Sequence, residues 1–216
     1  MALPPKLENV KLKFSEHIGQ FNWDDLTPGR KNILNAFLRL ATTEGYHAVS
    51  MRALGTAVNM KAPSIYSHFP EGKDEIVSAC LRWHYYTFGK EILLAISDVK
   101  NTEIFLDELM KVHVKLQLEK PESILWDMLV AADRVSGFLQ PEIRRDVQYW
   151  LDLWTQFYLE AAAELYKGNI ELKTHTVMTL LDRAPEWSSW SSEPQNVKEI
   201  CTNALGFAKA IFESER

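Results

Sequence analysis

Cysteine is scarce: Cys80 and Cys201 are the only two in 216 residues, and they stand far apart. Such a pair builds neither a disulfide framework nor a CxxC metal site, and it suits a reducing compartment. No run approaches the roughly 18 apolar residues of a membrane span, and the N-terminal MALPPKLENVKLKF has no apolar signal core. A cytoplasmic chain is therefore expected, with no membrane partner. Glycine and proline, nine each, fall mainly between apolar-periodic runs, and sustained period-two alternation is missing. Strands are not expected. GxSxG, GxGxxG, P-loop and HExxH motifs are all missing, so no catalytic residues, no cofactor and no enzyme activity are expected. Cys80 and His84 share a helix face at a spacing that suits a metal, but without a third ligand the pair reads as packing. Asp133, Glu142 and Glu160 read as solvated charges.

What is present is an ordinary globular mixture, 46% hydrophobic and 25% charged, with an unusual seven tryptophans. A net charge of -5 argues, by itself, against nucleic acid. The distribution argues otherwise. Residues 26–70 carry Arg30, Lys31, Arg39, Arg52 and Lys61 against Glu44, a net +4, so the remainder carries -9. A basic segment borne by an acidic body is the pattern of a DNA reader with a separate second domain.

Helical periodicity predicts an all-α fold of about nine helices. Residues 1–25 form an N-terminal arm in which Leu7 to Ile18 suits a short helix or a flexible lead equally. Thr27 and Pro28 cap and open a helix carrying Ile33, Leu34, Phe37, Leu38 and Ala41, which stops before Gly45. Ser50 caps a short second helix that ends at Asn59. Ala62 or Pro63 opens a third, to Phe69. Longer helices follow over about 73–96, 102–119, 121–134, 141–167, 172–184 and 194–212.

Two short helices joined by Asn59-Met60-Lys61 have helix-turn-helix proportions. The turn needs a residue at positive φ, and asparagine tolerates that conformation best after glycine. Ser50 offers a hydroxyl and free N–H groups to a phosphate. Tyr66 and His68 bring hydrogen-bonding tips, Lys73 brings charge near a helix start, and Arg52 is a further candidate phosphate contact.

The run Ser50-Met-Arg-Ala-Leu-Gly-Thr-Ala-Val-Asn-Met-Lys-Ala-Pro-Ser-Ile-Tyr-Ser-His-Phe, followed by Lys73, resembles the TetR family of one-component transcriptional repressors. The resemblance covers about Pro28 to Leu81 and is most specific at Ser64–Phe69 with Lys73. It implies that Ser50, Tyr66, His68 and Lys73 hold the DNA backbone, while Lys61, Ala62, Pro63 and Ser64 face bases. It also implies a three-helix DNA-binding domain, 26–72, on a helical ligand-binding and dimerisation domain, 73–216. The chain departs from the family pattern at two points. Asn59 replaces the usual turn glycine, and three residues, not two, separate Phe69 from Lys73.

In the second domain, Phe88, Ile92, Trp126, Met128, Trp150, Trp154, Phe157 and Tyr158 are candidate effector-binding residues, a wide apolar and aromatic set. They suit a hydrophobic, aromatic or acyl-CoA effector, with Arg144 and Arg145 available to an anionic end. The segment from Pro185-Glu186-Trp187 to Ser192-Glu193-Pro194 looks loosely like that of TetR-type proteins with acyl-CoA effectors. Val177, Leu181, Val197, Cys201, Ala204, Leu205, Ala208 and Phe212 are candidate dimer residues, small and apolar at helical spacing. The expectation is a dimeric, ligand-responsive repressor on roughly palindromic double-stranded operator DNA, with the helix from Lys73 to Ile96 shifting when effector binds. The alternative is a small-molecule-binding protein or enzyme of the same fold without specific DNA binding.

Overall fold

The computed structural model describes residues 2–20, 23, 26–188 and 194–214. Among them there are eleven α-helices, one 3-10 turn and no strand. They are α1 (Pro5–Gly19), α2 (Pro28–Thr43), the 3-10 turn Tyr46–Ala48, α3 (Met51–Ala57), α4 (Ala62–His68), α5 (Lys73–Ala95), α6 (Thr102–Glu119), α7 (Pro121–Ser136), α8 (Pro141–Leu165), α9 (Ile170–Asp182), α10 (Ala184–Trp187) and α11 (Pro194–Glu213). The all-α class is as expected, but the count of about nine is corrected by α1 and α10. α1 forms because Leu7, Val10, Phe14 and Ile18 recur at helical spacing and are buried. α10 is a single turn opened by Pro185, too short for periodicity to reveal. The Trp/Ser stretch 189–193, including the Ser192-Glu193 of the looser resemblance, lies outside the described residues, as do five positions of the N-terminal arm.

The chain divides into two compact units. The first comprises Met1–Gly19, Phe88–Pro121 and Tyr149–Arg216. Here α6, α9 and α11 pack on one another, and an aromatic layer fills the interior. Trp154 lies with its ring centroid 5.2 Å from His113, 5.3 Å from Tyr158, 6.0 Å from Phe88 and 6.1 Å from Trp150. Phe14 of α1 meets Phe157 edge-on at 5.1 Å. Gly89 is required beneath α1, since a Cβ there would stand 2.8 Å from Ile18 Cγ2. The buried Lys173 ammonium donates to the carbonyls of Phe212 and Ser214 at the end of α11, and of Lys167 just after α8, satisfying acceptors that no helical N–H can reach.

The second unit comprises Gln20–Thr87 and Glu122–Gln148. Its core is set by α2, α3 and α4 with the start of α5: Ile33, Leu34, Phe37, Leu54, Ile65, Phe69 and Ile76 are buried. Cys80 and His84, the spaced pair, serve packing. The Cys80 thiol donates to Leu34 O at 3.2 Å, and burial pushes its pKa up, while His84 stacks on Trp126 at 4.8 Å.

Candidate nucleic-acid interface

The second unit orders its three short helices by local chemistry that can be followed residue by residue. Thr27 caps α2, accepting from Arg30 N at 3.3 Å. Ser50 Oγ accepts from Ala53 N at 3.1 Å and caps α3, which leaves its hydroxyl hydrogen for an outside acceptor. Asn59 takes φ 54°, the left-handed conformation the turn requires, and is the one such non-glycine residue among those described. Met60 N then donates to Gly55 O at 2.8 Å, folding the chain back on α3. That closure is possible only because position 55 is glycine: a Cβ there would lie 2.6 Å from the Met60 carbonyl oxygen. Sequence reasoning overlooked Gly55, although an isolated glycine inside a helical run signals a close approach.

α4 is anchored by one buried residue, Ile65. At about 100° per residue, Tyr66, Pro63, Ser67 and Ser64 span an arc of roughly 160° on the opposite side, and all four are exposed. Lys61 and Arg52 are exposed as well, and Ala62 is half-buried. Tyr66 is 46% exposed, too open for a core tyrosine, and its ring lies over Gly72. His68 packs its imidazole against Gly29 in the first turn of α2. Below it, Arg30 lies 4.6 Å over the Phe69 ring and 3.7 Å from Glu75. The result is a basic, mostly uncharged-polar surface with no acidic residue on α4 itself.

Lys73 behaves differently from the sequence expectation. Its Nζ donates to Tyr46 O and sits 3.9 Å over the Tyr46 ring, so the ammonium is turned into the unit. Burial lowers its pKa, with Asp74 opposing. The Tyr46 phenol is pushed up to about 12, by burial and then by the neighbouring Asp74 carboxylate. Tyr46 was not anticipated as part of the site.

The remaining candidates lie in two places. Phe88, Ile92, Trp150, Trp154, Phe157 and Tyr158 are buried in the first unit. There the Tyr158 hydroxyl and His113 Nδ1 are hydrogen-bonded at 2.9 Å, and His113 Nε2–H donates to the Asp182 carboxylate at 2.7 Å. Trp126 and Met128 belong to the second unit, Trp126 against Tyr85 and Met128 half-exposed. Arg144 is committed to Asp133 and Leu139 O, whereas Arg145 is exposed. Among the dimer candidates, Val177, Leu181, Ala204, Ala208 and Phe212 are already buried within the single chain. Val197, Cys201 and Leu205 are partly exposed. In that region Phe207 is exposed, and its ring meets the partly buried Trp187 edge-on at 5.8 Å. They border a groove of about 670 Å³ lined also by Leu180, Asn196, Glu199 and Ile200. Among the described residues, no helix is long and apolar enough to cross a membrane, and no three metal-ligating side chains converge.

Residues 33–80 match the family model for bacterial regulatory proteins of the tetR family. No curated protein matches the chain. Several solved structures share its fold. A bacterial regulatory protein in the tetR family from Rhodococcus RHA1 aligns with a TM-score of 0.71 at 13% identity, over 88% of this chain and 100% of that one. A transcriptional regulator from Saccharomonospora viridis, in complex with choline, aligns at 0.61 and 19%, over 83% and 95%. AibR, in complex with isovaleryl coenzyme A and operator DNA, aligns at 0.65 and 18%, over 85% and 98%.

Proposed function

We propose that this chain, a member of the tetR family by its residues 33–80, is a cytoplasmic transcriptional repressor that binds operator DNA as a homodimer and releases it when a hydrophobic small molecule binds. The observation that carries the reading is α4: a helix anchored by Ile65 alone, with Pro63, Ser64, Tyr66 and Ser67 open beside the exposed Lys61. A major groove accepts such a helix, and the first helix of the pair braces it across the backbone. Ser50, Arg52, Tyr66 and His68 then hold phosphates, and Lys61, Ala62, Pro63 and Ser64 face base edges, small residues and proline meeting thymine methyls. Lys73 serves this function from within the unit, through Tyr46.

A dimer supplies two copies of α4 for two half-sites one helical turn, about 34 Å, apart. Its contact is the α9–α11 face around Phe207, where apolar surface is still open. The effector lies in the aromatic layer around Trp154, in the domain expected to span residues 73–216. An apolar body against these rings and a polar group toward His113 and Tyr158 fit its chemistry. The solved complexes of similar fold with choline and with isovaleryl coenzyme A are in keeping with a small-molecule effector that carries a polar or charged group.

Selection of bound duplexes from a randomised library tests the reading. The expected result is a roughly palindromic consensus. Recovery of unrelated sequences would favour a helical ligand-binding protein without specific DNA recognition.

A further inference from the structure

The corner between α7 and α8 belongs to the same unit as the helix-turn-helix, and two of its residues end on the two segments that flank the pair. Phe138 stacks on Tyr46 with ring centroids 3.8 Å apart and planes 14° from parallel. Gln140 Nε2 donates to Asp74 Oδ2 at 3.2 Å, and the Tyr46 hydroxyl donates to the other oxygen, Oδ1, at 3.3 Å. Lys73 closes the figure by donating to the Tyr46 carbonyl.

The corner is itself pinned. Leu139 N–H donates to Asp133 at 2.7 Å, and Arg144 forks onto Asp133 at 2.8 and 3.1 Å while reaching Leu139 O at 3.1 Å. Gly137, at φ 62°, lets the chain turn into this arrangement. Because Phe138 and Gln140 flank Leu139, fixing one peptide aims both side chains. Burial does not explain their placement, since Phe138 is only partly buried and Gln140 is exposed. A half-open ring stacked this squarely, beside a directed amide, is a specific joint rather than core filling.

What the joint holds matters for recognition. Tyr46 opens the 3-10 turn that leads to Ser50, the cap of α3. Lys73 and Asp74 open α5, directly after the Phe69–Gly72 connection that leaves α4. The entry to the pair and the exit from it are therefore tied together from outside the pair.

We infer that Phe138 and Gln140 are positioning residues for DNA recognition: they fix the angle at which α3 and α4 are presented by clamping the segments that enter and leave them. The inference rests on the reading of α4 as the DNA-reading helix. A positioning role makes a distinctive demand. Specific binding depends on the angle of α4, whereas nonspecific binding depends on phosphate charge, which neither residue supplies.

The test uses the full chain and the duplex that it selects from a randomised library, with a scrambled duplex as control. Phe138→Ala is expected to weaken binding to the selected duplex roughly five- to tenfold and Gln140→Ala about two- to threefold. Binding to the scrambled duplex and the salt slope on it should stay as in the parent. Phe138→Tyr, which keeps the stacked ring, should restore the parent affinity. Gln140 is exposed, so its variant keeps the inference testable even where Phe138→Ala fails to fold. Parent-like affinity for the selected duplex in both alanine variants overturns the inference, as does equal weakening on both duplexes, the signature of a merely structural role. Failure of the parent to select any sequence would instead overturn the DNA-reading assignment, and this inference with it.

Discussion

Replacing Gly55 with alanine sets two effects of opposite sign against each other. Gly55 lies inside α3, where alanine is intrinsically better by about 1 kcal/mol. On helix propensity alone, the variant is more stable. The structure reverses that sign. The new Cβ would stand 2.6 Å from Met60 O, and that oxygen belongs to the backbone, so no side-chain rotation relieves the contact. Restoring a normal separation moves the turn by several tenths of an ångström, and Met60 N is bonded back to Gly55 O. Overpacking of this kind costs about 1–3 kcal/mol. The net expectation is a loss of roughly 1 kcal/mol after the propensity gain, and a melting point lower by about 2–4 °C for a chain of this size. Operator affinity should fall further than stability, because the displaced turn carries α4. Thermal unfolding and operator binding on the same preparation measure both. A variant with a raised melting point and parent-like operator affinity would refute the reasoning about how α3 and α4 are joined.

Three further outcomes follow from other parts of the molecule. Lys173→Met leaves three carbonyl partners, the buried one of Phe212 among them, without their donor and should cost about 2–4 kcal/mol in denaturant unfolding. Parent-like stability would contradict the ammonium's role as the cap of α11. Asp133 is held below the usual carboxylate range: burial raises its pKa, but hydrogen bonds from Arg144 and from the Leu139 and Phe138 N–H groups lower it by more. A depressed folded-state pKa means stability that is present above the ordinary value of about 4 and is lost as the pH falls through the depressed one. Asp133→Asn should therefore flatten the acid limb of the stability profile, and an unchanged limb would count against the Asp133–Arg144 pin. Phe207→Glu, which puts charge on the open α9–α11 face, should give monomers in sedimentation while leaving the helical content intact. An unaltered dimer would move the interface elsewhere.

The elements whose ends are written in short-range chemistry were legible before the structure. α2 begins where Thr27 and Pro28 place it, α3 begins after Ser50, and the turn passes through Asn59 at positive φ. α6 runs from Thr102 to Glu119, as read, and the structure adds the Asn101 cap. The surface of α4 was legible for the same reason, since seven residues between a turn and a proline leave one inward position. Tertiary partnership was not legible. The stripe on α11 shows that one face is covered but not by which chain, and Ala204 and Ala208 are covered from within. Tyr46, Phe138, Gln140 and Asp74 come from three separate stretches, and no local pattern announces that they meet. Lys73 shows the same limit. Its place at the start of α5 could be read, but the direction of its ammonium depends on a carbonyl 27 residues away.

The central claim is that α4 enters the major groove, and protection of guanine N7 from methylation on the selected operator tests it most directly, because N7 is exposed only in that groove. The account predicts two protected patches about one helical turn apart, with protection at both reduced by Gly55→Ala. Tight binding that leaves every guanine N7 as reactive as in free DNA would contradict it.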